Sequence, residues 1–197
     1  ERGNSNLIVP GISWAEQPLP LTGRPRRGRR LSLKLSAADE WLGSDTAFVQ
    51  IETGGKLILP LGSNARLLTR LEAGWTIKDD FSALPFSVRY FAGGDGNVRG
   101  YAYKSLGPTD AAGNVIGGAN KLIGSIEFDA RVSGNWSAAV FVDSGNAFNS
   151  FSGMVLKTSV GAGIRWYSPL GPIRFDVGVP LESDAPDTWR IHISLGP

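Results

Sequence analysis

Apolar and polar residues alternate one by one along most of the chain, which is the period of a β-strand and not of a helix. Between Lys157 and Trp166 the even positions from Val160 onward are apolar and the odd positions are charged or small. Similar alternation predicts ten strands, at about residues 5–14, 28–38, 46–59, 66–78, 85–92, 121–132, 136–144, 157–167, 171–180 and 188–196. The pattern therefore predicts an all-β protein.

Short and long connections alternate between the predicted strands. Residues 133–135 and 168–171 are tight turns, whereas residues 93–120 and 145–155 form longer connections. Tight turns at one end of a sheet and long loops at the other are typical of an antiparallel up-and-down outer-membrane β-barrel. The same count places the connection Pro18–Arg30 at the long-loop end.

A soluble β-sandwich would show the same alternation, with the apolar faces forming a core and the polar faces in water. Two features favour the transmembrane barrel. The polar positions carry charges of both signs and many glycines, as a polar barrel interior does. Aromatic residues lie near predicted strand ends, as in the girdles of a membrane barrel: Trp136, Trp166, Tyr167 and Trp189. The alternation by itself leaves both architectures open.

Composition argues against several kinds of chemistry. The chain has no cysteine, which excludes disulfides, thiolate metal sites and cysteine nucleophiles. Its single histidine, His192, falls on a polar strand face, and no Gly-x-Ser-x-Gly nucleophile motif accompanies it. A net charge of +2 is too small to indicate nucleic acid as a partner. We expect no enzyme activity, no cofactor and no metal.

Two short motifs stand out, one in the longest connection and one at the end of a later strand. Their members are Val98, Arg99, Gly100 and Tyr101, and Phe141, Asp143 and Gly145. Together they resemble the polypeptide-transporting outer-membrane barrel superfamily that includes TamA and BamA, and the resemblance runs from about Leu7 to Pro197. The run Phe141–Phe148 and the ending Ile-Ser-Leu-Gly-Pro are more similar to TamA-type members.

The resemblance implies a sixteen-stranded barrel of which residues 1–197 supply about the last ten strands, with the first strands and the periplasmic POTRA repeats absent. It also implies that the longest connection is an extracellular loop that folds back into the barrel. Arg99 can donate a pair of hydrogen bonds to Asp143, which alternation places on the polar face with Phe141. We expect this pair to position the loop. The alternative is an ordinary turn with a solvated arginine.

The same resemblance implies a role in the bacterial outer membrane. The expected function is assembly or translocation of β-barrel and autotransporter proteins through a lateral seam, together with an inner-membrane-anchored TamB-like partner and outer-membrane lipids. The last strand would form one side of this gate, with Trp189, Arg190, Ile191, His192 and Ile193. A passive secretion pore of the same superfamily and a soluble all-β binding module are the alternatives.

A cluster of arginines occupies one predicted loop at the long-loop end. Its members are Arg24, Arg26, Arg27, Arg29 and Arg30. At the outer rim of a barrel these side chains would be placed to pair with lipopolysaccharide phosphates, and a solvated loop is the alternative. No aromatic residues are interleaved with the arginines, which argues against nucleic-acid binding.

Overall fold

The computed structural model describes residues 5–16, 23–78, 81–183, 185 and 188–196. These residues form nine strands: β1 (Gly11–Ala15), β2 (Gly28–Ala38), β3 (Phe48–Leu61), β4 (Ala65–Ile77), β5 (Asn120–Ser133), β6 (Trp136–Phe148), β7 (Lys157–Ser168), β8 (Gly171–Pro180) and β9 (Arg190–Leu195). They also form three short 3-10 helices, at Glu40–Leu42, Phe86–Val88 and Phe151–Gly153. Within the described part of the chain, no helix is long and apolar enough to cross a membrane.

All nine strands belong to one antiparallel sheet in which each strand pairs with the next along the chain. The sheet is open, with β1 at one edge and β9 at the other. Strands β2 to β8 have 10 to 14 residues each, which is the length of a tilted strand that crosses a bilayer. The all-β, up-and-down architecture predicted from alternation is confirmed.

The two faces of the sheet differ in the way that separates a membrane barrel from a sandwich. On β6, Val140 and Val142 are exposed on one face, here called the outer face, whereas Phe141 and Asp143 are buried on the inner face. The same contrast recurs on β7 and β9. An entire sheet face of exposed apolar side chains suits contact with lipid, because water-soluble proteins rarely expose a patch of that size. The sandwich alternative does not fit this arrangement.

The predicted strand at 85–92 is wrong. Residues Phe86–Val88 form a 3-10 helix, and Tyr90 and Ala92 make only isolated bridges, to Gly118 and Leu106. Strand β4 pairs directly with β5 along 11 residues, which leaves no place in the sheet for a strand between them. Residues 78–119 are therefore one connection, here called the long loop, and its bridges close within the loop itself.

With nine strands, the connection between β1 and β2 lies at the tight-turn end of the sheet. Its described arginines contact the turn between β3 and β4: Arg24 donates to the carbonyl of Asn64 (3.0 Å) and Arg26 to that of Gly62 (2.5 Å). The predicted position of this connection at the long-loop end is wrong, although its residues 17–22 lie outside the described part. The expected contact between arginines 24–30 and lipopolysaccharide thereby loses its basis.

Candidate functional site

The long loop lies against the inner face of the sheet. Val98 and Tyr101 are buried with Ile123 of β5 in one hydrophobic cluster. Gly100 has a φ of 115°, a left-handed conformation that a residue with a side chain rarely adopts. On β8, a Cβ added to Gly178 would lie 2.7 Å from the amide nitrogen of Gly100. The loop backbone can approach the strand this closely because both positions are glycine.

The structure brings the two sequence motifs together through Arg99 and Asp143. The Nε of Arg99 donates to Oδ2 of Asp143 (2.7 Å) and its Nη2 donates to Oδ1 (2.9 Å), a two-pronged pair. The backbone N–H of Arg99 also donates to Oδ2 (3.0 Å). The guanidinium lies over the ring of Phe141, 3.4 Å from its centroid. Asp143 is completely buried, so these contacts replace the water that its charge would otherwise bind.

Three further charged side chains complete the site, which we call the loop clamp: Arg99, Glu127, Asp143, Arg165 and Asp176. The Nη1 of Arg99 donates to Glu127 (2.8 Å) and to Asp176 (3.1 Å). From β7, Arg165 donates to the same two carboxylates, at 2.9 Å and 2.5 Å. The five side chains are almost entirely buried and come from the long loop and from four neighbouring strands, β5 to β8.

The electrostatics of the loop clamp keep Arg99 charged. Burial alone would lower the pKa of Arg99, but the hydrogen bond and charge of Asp143, followed by those of Glu127, raise it above its ordinary value. A guanidinium that stays charged can hold the carboxylates of the clamp permanently, which suits the clamp to holding the loop. Among the described residues, no group of three His, Cys, Asp or Glu side chains could hold a metal ion.

Gly145, the last residue of the second motif, is also on the inner face. A Cβ at this position would lie 2.9 Å from the Cα of Ile123 on β5, so the two strands are closely packed there. The motif residues on β6 therefore have two different roles. Asp143 and Phe141 hold Arg99, and Gly145 allows β5 to approach.

The residues expected to form a gate lie on or next to β9. Trp189 precedes the strand and is exposed, and Ile191 and Ile193 point from the outer face. Arg190 is partly buried where it pairs with Gly178 of β8. His192 is buried on the inner face, where its ring contacts the long loop.

A second buried charge cluster lies at the tight-turn end, and we call it the turn-end clamp: Arg24, Arg66, Asp129 and Tyr167. Arg24 donates to Oδ1 of Asp129 (2.6 Å), and Arg66 donates to Oδ2 (2.9 Å). Tyr167 donates to Oδ2 as well (2.7 Å). Tyr167 is consequently buried inside and is not part of an outer aromatic girdle, whereas Trp136 and Trp166 stack on the outer face as expected (5.9 Å between centroids).

Sequence reasoning did not single out several residues of these clusters. Alternation placed Glu127, Asp129 and Asp176 on polar strand faces, but it carried no information on which arginine would meet each of them. Which arginine meets which carboxylate depends on strand register, for example on the pairing of Ser125 with Asp143 and of Arg165 with Arg174. Charges of both signs at inner positions were the available signal.

Comparison with known proteins agrees with this geometry. The Omp85 superfamily domain matches residues 4–197. The outer membrane protein assembly factor BamA of Nitratidesulfovibrio vulgaris is 28% identical over 165 residues, which cover 79% of this chain and 21% of that protein. BamA of Neisseria meningitidis serogroup B is 30% identical over 150 residues, covering 57% of this chain and 19% of that protein.

A crystal structure of BamA from Haemophilus ducreyi lacking POTRA domains 1–3 has the same fold, with a TM-score of 0.77 and 24% identity. The match covers 94% of this chain and 41% of that one. The chain thus spans about a fifth of the length of the curated relatives it matches. Because the matched domain extends over almost every residue, the chain belongs to the Omp85 superfamily of outer-membrane β-barrel proteins.

Proposed function

We propose that the protein containing this chain assembles or translocates other outer-membrane proteins, and that substrate strands add to the edge of β9. The observation that carries the proposal is the fixed position of the long loop. Within the loop clamp, Arg99 fastens the loop to buried carboxylates on the inner face of the sheet, and the loop also contacts β9 there. On this proposal the seam beside β9 opens and exposes its edge. An unpaired strand edge offers backbone hydrogen bonds to an extended peptide, and alternate side-chain positions set its register.

Two relatives are named as outer membrane protein assembly factors, which supports the general role. The similarity of residues 141–148 to TamA-type members supports the narrower proposal, in which autotransporters are among the substrates and an inner-membrane-anchored TamB-like protein is the partner. The exposed apolar outer face supports contact with outer-membrane lipids. On this proposal residues 1–197 are the C-terminal part of a single barrel.

Disulfide trapping separates a seam from a passive pore. Two variants of the full-length protein each carry a single cysteine. Ser194→Cys places the thiol on β9, and Lys56→Cys places it on β3, in the cavity between the inner face of the sheet and the long loop. The probe is an autotransporter translocator domain that carries one cysteine in its final strand. We expect a disulfide with Ser194→Cys during assembly and none with Lys56→Cys.

Ile126→Cys is the matched control, because Ile126 is exposed on the outer face of β5, away from either sheet edge. It should form no disulfide with the probe. Trapping at Lys56→Cys alone would instead favour a pore that conducts the substrate through the interior. If the substrate still assembles but no disulfide forms at either Ser194→Cys or Lys56→Cys, both the seam and the pore are contradicted.

A further inference from the structure

His192 is buried on the inner face of β9, and it contacts the long loop through both ring nitrogens. Its Nδ1 is hydrogen-bonded to the carboxylate of Asp95, and its Nε2 accepts a hydrogen bond from the backbone N–H of Gly100 (3.4 Å). Asp95 and Gly100 flank Arg99, the loop residue of the clamp. The edge strand of the sheet therefore contacts the same segment of loop that the clamp holds.

The two contacts require one hydrogen-bond donor and one hydrogen-bond acceptor from the side chain at position 192. A carboxylate accepts and an N–H donates, so the ring must donate from Nδ1 and accept at Nε2, as a neutral histidine can. Asp176 lies directly across from His192 on β8, but its two oxygens already accept from Arg99 and Arg165. Asp95 and Gly100 are thus the described hydrogen-bond partners of the ring.

A second contact joins the long loop to the connection between β8 and β9. The hydroxyl of Tyr101 is hydrogen-bonded to Glu182, which lies in the connection between β8 and β9. The other carboxylate oxygen of Glu182 accepts from the backbone N–H of Thr158 on β7 (2.7 Å). Within the loop motif, Arg99 therefore contacts the loop clamp, whereas Gly100 contacts β9 and Tyr101 contacts the connection between β8 and β9.

We propose that His192 is a positioning residue that ties β9 to the long loop, so that the loop holds the edge strand in place. The consequence for substrate entry rests on the proposed function, whereas the tie itself does not. If the tie is broken, the loop segment 95–101 loses its hydrogen bonds to β9, while its contacts with the loop clamp, with Glu182 and with Arg70 remain. The tie gives the loop an influence on the edge where a substrate strand would add.

The test measures loop release without a substrate. In the full-length protein in detergent, Ala92→Cys places a single thiol in the buried loop cluster, and its reaction with a polar maleimide requires the loop to open. Rates are normalised to Tyr103→Cys, an exposed position in the same loop. We expect His192→Phe, which keeps a ring but no hydrogen bonds, to raise the normalised rate about tenfold.

His192→Gln is expected to restore a rate near that of the unmodified protein, because an amide can donate to Asp95 and accept from Gly100. Asp95→Ala, at a position whose side chain is 53% exposed, should give a smaller increase. Ser194→Ala, on the same strand but without a described loop contact, should leave labelling unchanged.

An unchanged rate in both His192→Phe and Asp95→Ala would overturn the tie. Equal acceleration by His192→Phe and His192→Gln would overturn it too, because loss of packing and not of hydrogen bonds would then explain the release. If labelling behaves as expected but substrate strands do not reach Ser194→Cys, the proposed function fails and the tie stands.

Discussion

The loop clamp and the turn-end clamp use the same chemistry at two levels of the sheet, but they hold different segments. Each is centred on a completely buried aspartate that accepts two side-chain hydrogen bonds from an arginine in a connection between strands. Arg99 donates to both oxygens of Asp143, whereas Arg24 donates from Nε and Nη2 to the one oxygen Oδ1 of Asp129. The first holds the long loop inside, and the second holds the connection between β1 and β2 against the tight turns. Among the described residues, the segment held by the first clamp also contacts β9, through His192.

The two clamps also differ in their charge balance. The loop clamp has two arginines and three carboxylates, whereas the turn-end clamp has two arginines and one carboxylate. Glu127 of the loop clamp and Asp129 of the turn-end clamp are neighbours on the inner face of β5, so the two clusters adjoin there. Together four arginines face four carboxylates, which compensates for the cost of burying each of them.

Asp143→Asn is expected to have the largest effect. It leaves Arg99 without its two-pronged partner, and breaking a buried ion pair from one side costs roughly 3–5 kcal/mol. Ala92→Cys should label rapidly, and on the proposed function the full-length protein should lose most of its assembly activity. Thermal unfolding in detergent measures the loss of stability.

The pairing itself is tested by a double-mutant cycle. Arg99→Ala and Asp143→Ala should cause similar losses of activity, and the double variant should lose little more, because each substitution removes the same contact. Losses that add in the double variant would show that the two residues act separately.

Asp129→Asn should destabilise the protein at the lower end of the same range of roughly 3–5 kcal/mol, because Arg24 and Arg66 then share no carboxylate. In contrast to Asp143→Asn, it should leave labelling of Ala92→Cys unchanged, since no long-loop residue contacts Asp129 in the described part of the chain. Release of the loop by Asp129→Asn would show that the two clamps form one cooperative unit.

The contrast between the clamps also shows what the sequence could reveal. The pairing of Arg99 with Asp143 was predictable because both residues lie in motifs that a resemblance connects across 44 positions. Arg24 was indistinguishable from the arginines that follow it, because its role depends on which end of the sheet it reaches. The end of the sheet that a connection reaches depends on how many strands follow it. The strand wrongly predicted at 85–92 therefore moved the connection of Arg24 to the opposite end.

Register and loop path set the remaining limits on prediction. Alternation assigned Glu127 and Asp176 to the correct face, but their meeting with Arg165 requires the alignment of β5, β7 and β8. The contact between His192 and Asp95 requires the loop to return to a strand 97 residues away. Neither follows from local pattern, because the free energy that selects them comes from burial in the folded sheet.

Gly178→Ala tests the close approach of the loop with a smaller effect. The added methyl group would lie 2.7–2.9 Å from backbone atoms of Arg99 and Gly100, so the loop must shift, at a cost of roughly 1–3 kcal/mol. We expect faster labelling of Ala92→Cys. Gly124→Ala on β5 is the matched control, because its nearest neighbour, the carbonyl oxygen of Ser144, would be 3.9 Å away. Equal labelling of both variants would argue against close packing at Gly178.

The smallest effect separates Arg24 from its neighbours. Arg24→Ala removes hydrogen bonds to Asp129 and Asn64 from a side chain that is 5% exposed, and should cost about 1–2 kcal/mol, since Arg66 still compensates Asp129. Arg27→Ala, at an exposed position, should change stability by less than about 0.5 kcal/mol. Thermal unfolding of the two variants in detergent provides the comparison. If Arg27→Ala were as destabilising as Arg24→Ala, the arginines would act through their collective charge, and the turn-end clamp would not depend on one specific guanidinium.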